Sequence, residues 1–243
     1  MNAKVRSGVA YVIAFLTVLS CILCIGGCTD EEVSEALNNQ SLAPTVEWVV
    51  LENGTLAEKW ISGEYTPSQK TRMDNSLKKK YKAEIARAAS VKYNCHSYAW
   101  YLHGDINSQS PQLWFDYHSG FTHATPSCAT QVYSPQVGDI VTYTDPEDFD
   151  SLRAKHSAII TSVSAGTGVN QIVVASKWGY YGVYSHILSD CPYYTDAEHG
   201  TTQYLTNVKY YRLSHQYILS GNYYYCKCCG YKNPTMVVSG VTK

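Results

Sequence analysis

The chain has 243 residues, 45% of them hydrophobic and only 16% charged, enough for one sizeable core and too apolar for a disordered, solvating tail. Its 19 basic and 20 acidic residues leave a net charge of −1, so no basic field exists to hold a phosphate backbone, which argues against nucleic acid as a partner. The 22 tyrosines against 4 phenylalanines point to half-buried strands whose hydroxyl tips reach water.

Lys4 and Arg6 precede an uncharged run from Ser7 to Thr29 that ends in the small residues Gly26, Gly27 and Cys28, the pattern of a signal sequence over residues 1–27. The ending IGGC, Ile25 to Cys28, resembles the bacterial lipobox, which implies that Cys28 carries lipid and becomes the new N-terminus. A retained helix over the 17 residues from Val9 to Ile25, or simple secretion, are the alternatives. Without Lys4 and Arg6, 17 basic residues face 20 acidic ones, a net charge of −3. Residues 28–44 are polar and free of aromatics, as a tether is.

Residues 45–90 read as an extension. Thr45 to Leu51 has strand character, Asn53-Gly54 is a turn signal, and Pro67 opens a stretch to Ala89, free of internal glycine and proline, that predicts one or two helices. Its LKKKYK run is a solvated helix face. Residues 91–213 form the main domain: a helix over about 95–103, a long loop over about 105–135, then strands at Gly138–Tyr143, His156–Val163, Gln171–Trp178 and Asn207–Leu213. That order predicts an α+β fold whose consecutive strands pair antiparallel.

Six cysteines remain after the lipobox: Cys95, Cys128, Cys191, Cys226, Cys228 and Cys229. Export makes disulfides the default expectation, with Cys128 and Cys191, in two loops, as a candidate pair. Cys95 lies where a loop enters a helix, a position that favours the nucleophilic thiolate. His156, 61 residues on, opens an apolar strand and is placed to face a cleft. Asn94, just before Cys95, can serve as a helix N-cap. His96 sits at the rim of such a cleft; His103, His118 and His123 read as surface or core histidines. In the tail, residues 214–243, His215, Cys226 and Cys229 supply three of the four ligands that a structural zinc needs, which leaves a degenerate ribbon, local disulfides and a metal site open.

Cys95 followed by Tyr98-Ala99, then GDIV at Gly138–Val141, then His156 and its strand, resemble in order the papain-like cysteine amidase and peptidase superfamily, in particular the CHAP domain and its NlpC-type relatives, over roughly residues 93–188. The resemblance implies a papain-like fold, with N-terminal helices, the catalytic cysteine at a helix start and an antiparallel sheet carrying the histidine. It implies that Cys95 attacks an amide carbonyl, that His156 shuttles the proton, that Asn94, where the family usually has glutamine, helps to hold the oxyanion with a shorter amide, and that no cofactor is needed for the chemistry. The third catalytic position departs from the family: no acidic residue occurs between Asp150 and Asp190, and Ser176 is the substitute that can accept the imidazole N–H. The expected whole is a monomeric cysteine hydrolase on the extracytoplasmic face of a bacterial membrane, lipid-anchored through Cys28 and acting on cell-wall peptides. An inactive domain that binds the wall is the alternative, and the same acid-free window counts against transglutaminase-like folds.

Overall fold

In the computed structural model the described residues are 46–50, 54, 56–60, 63–105, 112–115, 128–144, 156–164, 168–192, 207–221 and 223–233. The expected signal sequence (residues 1–27), Cys28, the expected tether (residues 28–44), His118 and His123 lie outside them. No helix among the described residues is long and apolar enough to cross a membrane.

The chain enters through a hairpin, β1 (Val46–Val50) and β2 (Leu56–Trp60). Helix α1 (Pro67–Tyr81) starts where the sequence places it: Thr66 and Gln69 form a capping box, and Pro67 fills the first turn, where its missing N–H costs nothing. It stops early, because Lys82 adopts a left-handed conformation with φ of 51°. The second half of the stretch predicted as helical is therefore a strand, β3 (Glu84–Arg87).

Six further strands complete one sheet: β4 (Ala129–Val132), β5 (Ile140–Thr144), β6 (His156–Val163), β7 (Ile172–Lys177), β8 (Val183–Ile187) and β9 (Asn207–Leu213). The order is β3-β8-β7-β6-β5-β9-β4, and every pairing is antiparallel. The tail builds a separate three-stranded sheet from β10 (Tyr217–Ser220), β11 (Tyr223–Cys226) and β12 (Lys232–Asn233).

This architecture overturns the α+β, papain-like expectation. The protein is mostly β, with α1 as the one α-helix of several turns among the described residues. Cys95 does not open a long helix; it lies just before a five-residue π-helical turn, Ser97–Tyr101. Two consecutive left-handed residues, His103 (φ 50°) and Gly104 (φ 79°), prevent the helix from continuing. Tyr98, Ala99, Trp100 and Tyr101 are all buried, so this turn is held by packing on every side rather than by helix length.

The sheet is covered on both faces, which is why its strands read as near-continuous apolar runs. On the front face, Ile140, Ile159, Ala175 and Val183 pack against Tyr93, Tyr98, Ala99 and Trp100 of the Cys95 segment. On the back face, Val141, Tyr143, Ala158, Ile160, Ile172 and Val174 pack with Leu188 and Cys191. Registers confirm the division: Ile140, Ile159 and Ala175 stand in one cross-strand row, and Val141, Ala158 and Ser176 in the next.

The GDIV segment has a structural job at this sheet. Gly138, at φ of 91°, donates its N–H to the Ile160 carbonyl, and the Asp139 carboxylate takes a two-pronged bond from Arg212 at 2.9 and 2.7 Å. It ties the start of β5 to β6 and β9.

Candidate functional site

Asn94 caps the turn that carries Cys95. Its Oδ1 accepts the Ser97 N–H at 3.0 Å, and its Nδ2 donates to the Phe115 carbonyl at 2.6 Å. Of the two sequence readings, the geometry supports the N-cap, and the amide is engaged at both ends. Cys95 is 8% exposed and lies, in sequence, between Tyr93 and Tyr98 of the front-face core.

Lys177, the residue after Ser176, lies fully buried on the same face. Its Nζ donates to the carbonyls of Ser90 (2.8 Å), Gly179 (2.5 Å) and Tyr181 (2.5 Å), and it sits 5.1 Å from the centre of the Tyr93 ring. Three acceptors match the three N–H groups of an ammonium. Burial lowers its pKa to about 7; of the charges that oppose this, Cys95 contributes most, ahead of Glu64 and Asp74.

His156 is on the other side. Ser157 turns to the front face, where its Oγ meets His96 Nδ1 at 2.9 Å and accepts the Trp100 Nε1–H at 3.0 Å. Strand alternation then directs His156 to the back face, and its ring lies 5.3 Å from that of Tyr143, its cross-strand partner. The segment that carries Cys95 thus packs on the front face, and the histidine expected to be its base points to the back. Ser176 does share the back face, but its Oγ is bonded to His186 Nε2 (2.8 Å) and accepts the Trp178 Nε1–H (2.7 Å). It serves His186 rather than His156, a correction to the role assigned from sequence.

Two tryptophan–serine–histidine chains therefore back onto each other through adjacent strands: Trp100–Ser157–His96 in front and Trp178–Ser176–His186 behind. In the second, His186 Nδ1 donates to the Ile187 carbonyl at 2.8 Å, so Nε2 is the acceptor for Ser176 and the ring is neutral. Burial lowers His96 and His186 to about 4 and drives His156 well below the ordinary histidine range, with His96 and His186 adding to the effect on His156.

A second cluster lies at the tail. Cys128, His215, Cys226 and Cys229 bring their ligand atoms within 4.8 Å of one another, a donor set that suits a metal ion. Sequence found three of these; Cys128 was missed, because it is brought in from just before β4. The expected Cys128–Cys191 disulfide is not formed: Cys128 packs with the front-face core and Cys191 with the back, and the described cysteines form no disulfide with one another. Hydrogen bonding to Cys128 and Cys229 acidifies Cys226, while Cys128 is pushed up to about 12, chiefly by its bond to Cys226.

No family model, curated protein or solved structure matches the chain.

Proposed function

We propose that the chain is a lipid-anchored, extracytoplasmic cysteine hydrolase that cleaves amide bonds of cell-wall peptides, with Cys95 as nucleophile. One observation carries this reading: Cys95 lies in a core that buries an ammonium, a capping amide and a Trp–Ser–His chain on the same face. A domain with only a structural role gains little from placing so many titratable groups there. With His156 turned away, Lys177 takes the part that an imidazolium plays elsewhere, a fixed cation beside the thiolate. The thiolate would attack the amide carbonyl, the C–N bond would break as the Lys177 ammonium gives its proton to the leaving amine, and water, returning a proton to Lys177, would hydrolyse the thioester to free the acid and restore the thiolate. Cys28 supplies the membrane tether, and a monomer suffices. A single zinc ion at the tail cysteines, structural rather than catalytic, belongs to the same proposal.

The separation of Cys95 from His156 favours a second reading, a wall-binding module without turnover. One assay separates the two. The full chain, purified in detergent, is incubated with muropeptides and the products are read by mass spectrometry. Cleavage that is lost in Cys95→Ser supports the hydrolase. Retention of intact muropeptides on the protein, equal in the variant, supports the binding module and overturns the enzyme.

A further inference from the structure

The tail sheet β10–β12 joins the rest of the protein around the cysteine cluster, and the ligand geometry there is specific. Cys128 and Cys226 sulfurs stand 4.0 Å apart, and Cys229 Sγ stands 3.6 Å from His215 Nδ1. A disulfide needs about 2.05 Å. Four ligands around a tetrahedral zinc, with Zn–S of about 2.3 Å and Zn–N of about 2.0 Å, come to lie roughly 3.5–3.8 Å from one another. These two distances lie near the second spacing, far from a disulfide, and all four ligand atoms lie within 4.8 Å of one another.

The backbone is arranged for the same purpose. Cys226 to Cys229 form a tight turn in which the Gly230 N–H donates to the Cys226 carbonyl at 2.8 Å, with Gly230 at φ of 74°, so that both sulfurs of the C-x-x-C project to one side. Cys128 is fixed from the opposite side, its carbonyl accepting the Ser214 N–H at 2.7 Å, next to His215. Cys128, Cys226 and Cys229 are each at most 3% exposed.

A fifth residue touches the cluster without belonging to it. His103 Nε2 lies 3.9 Å from Cys229 Sγ, and its ring meets those of His215 and Tyr231 edge-on, each at 4.5 Å between centroids. His103 holds a left-handed backbone, which a non-glycine residue adopts at a cost, and it ends the segment that begins at Cys95.

We propose that Cys128, His215, Cys226 and Cys229 bind one zinc ion as a Cys₃His centre and that His103 braces it from outside by an N–H bond to the Cys229 sulfur. The metal then clamps three parts of the chain: the β4 edge of the main sheet, the tail sheet, and the far end of the Cys95 segment. The proposal rests on the zinc reading of the tail but not on hydrolysis, and it adds the fourth ligand and the brace. Soft thiolate ligands in a closed tetrahedron select zinc over magnesium or calcium, and a closed site without an open position is structural.

The test uses the full chain purified in detergent without a metal-affinity step. Elemental analysis is expected to give about one zinc per chain, and X-ray absorption at the zinc edge three sulfur ligands and one nitrogen. Cys128→Ser should lose the metal, although its nearest partner in sequence is 87 residues away, while Cys191→Ser should keep it. His103→Ala should keep one zinc but release it to a competing chelator with affinity lowered about 10–100-fold, as outer partners of ligands do. Protein without zinc, or with disulfides among the tail cysteines, would overturn the metal centre altogether. Zinc with two sulfur ligands, or zinc held equally by Cys128→Ser, would refute the fourth ligand and leave only a tail site; unchanged affinity in His103→Ala would remove the brace. The absorption measurement is made on the unaltered chain, so it decides the ligand set even if Cys128→Ser does not fold.

Discussion

Acidification from pH 7 to 4 should unfold this protein, and the magnitude follows from three buried rings. His96 and His186 titrate near 4 in the fold and burial drives His156 well below the ordinary range, against about 6.5 for a histidine in an unfolded chain. Between those values the unfolded state takes up protons that the native state refuses, so stability falls as the pH falls, and the loss is complete once pH drops below the folded values. At about 1.4 kcal/mol per pH unit, His96 and His186 each remove about 3 kcal/mol by pH 4, and His156 acts in the same direction. The first two alone, roughly 6–7 kcal/mol, are comparable with the whole stability of an ordinary domain, about 5–15 kcal/mol. Urea unfolding followed by tryptophan fluorescence, at steps between pH 7.5 and 4, should show a slope approaching three protons per molecule. His186→Gln can keep a hydrogen bond to Ser176 without a titrating ring, so the slope should fall by about one third. A stability that stays level between pH 6.5 and 4.5 would show that these rings are not the buried, neutral groups described above.

Four other outcomes are expected. Lys177 titrates near 7 in the fold against 10.5 unfolded, so stability should rise between about pH 7 and 10.5, by roughly 5 kcal/mol in total; Lys177→Met should abolish that rise in the same urea assay. Lys177→Met should also slow alkylation of Cys95 at pH 6 relative to the unaltered protein, whereas an unchanged rate would separate the two residues. Gly182→Ala places a methyl group against the Arg87 carbonyl and the Asp74 carboxylate, and should cost about 2 kcal/mol, measured as a lower urea midpoint at constant slope. Cys28→Ala should lose incorporation of a fatty-acid probe; labelling equal to the parent would dismiss the lipid anchor.

What the sequence made legible was local. Strands β5, β6, β7 and β9 announce themselves through β-branched and aromatic runs bounded by turn signals, and Thr66-Pro67 with Gln69 marks a helix start. Strand β8, Val183–Ile187, hides because a serine and a histidine interrupt its apolar character, although both sides of the sheet are covered there. The early stop of α1 depends on the backbone sign at Lys82, which no composition rule reveals. Cys128 joins its partners only through the pairing of β4 with β9, a contact between distant parts of the chain. Spacing therefore found the ligands that are close in sequence and missed the remote one.

The candidate nucleophile shows the same limit at the scale of one residue. In HSAIITSV, covered on both faces, hydrophobicity does not mark which side is which, so the sequence leaves open whether His156 or Ser157 faces Cys95. The structure settles the parity through bonds that the pattern could not show: Ser157 is held in front by Trp100 and His96, and His156 lies behind with Tyr143. A shift of one residue would exchange them and break both contacts of Ser157. On the face where the Cys95 segment packs, Lys177 is the buried cation and Ser157, bonded to His96 and Trp100, is the residue that β6 presents in place of His156. Ser157→Ala separates the two. It should leave the Trp100 N–H and the His96 ring without their shared partner and cost about 1–3 kcal/mol of stability, while the alkylation rate of Cys95 at pH 6 should hold within about twofold, because Lys177 is untouched. A large fall in that rate would show that the Trp100–Ser157–His96 chain, and not the lysine, sets the reactivity of the thiol.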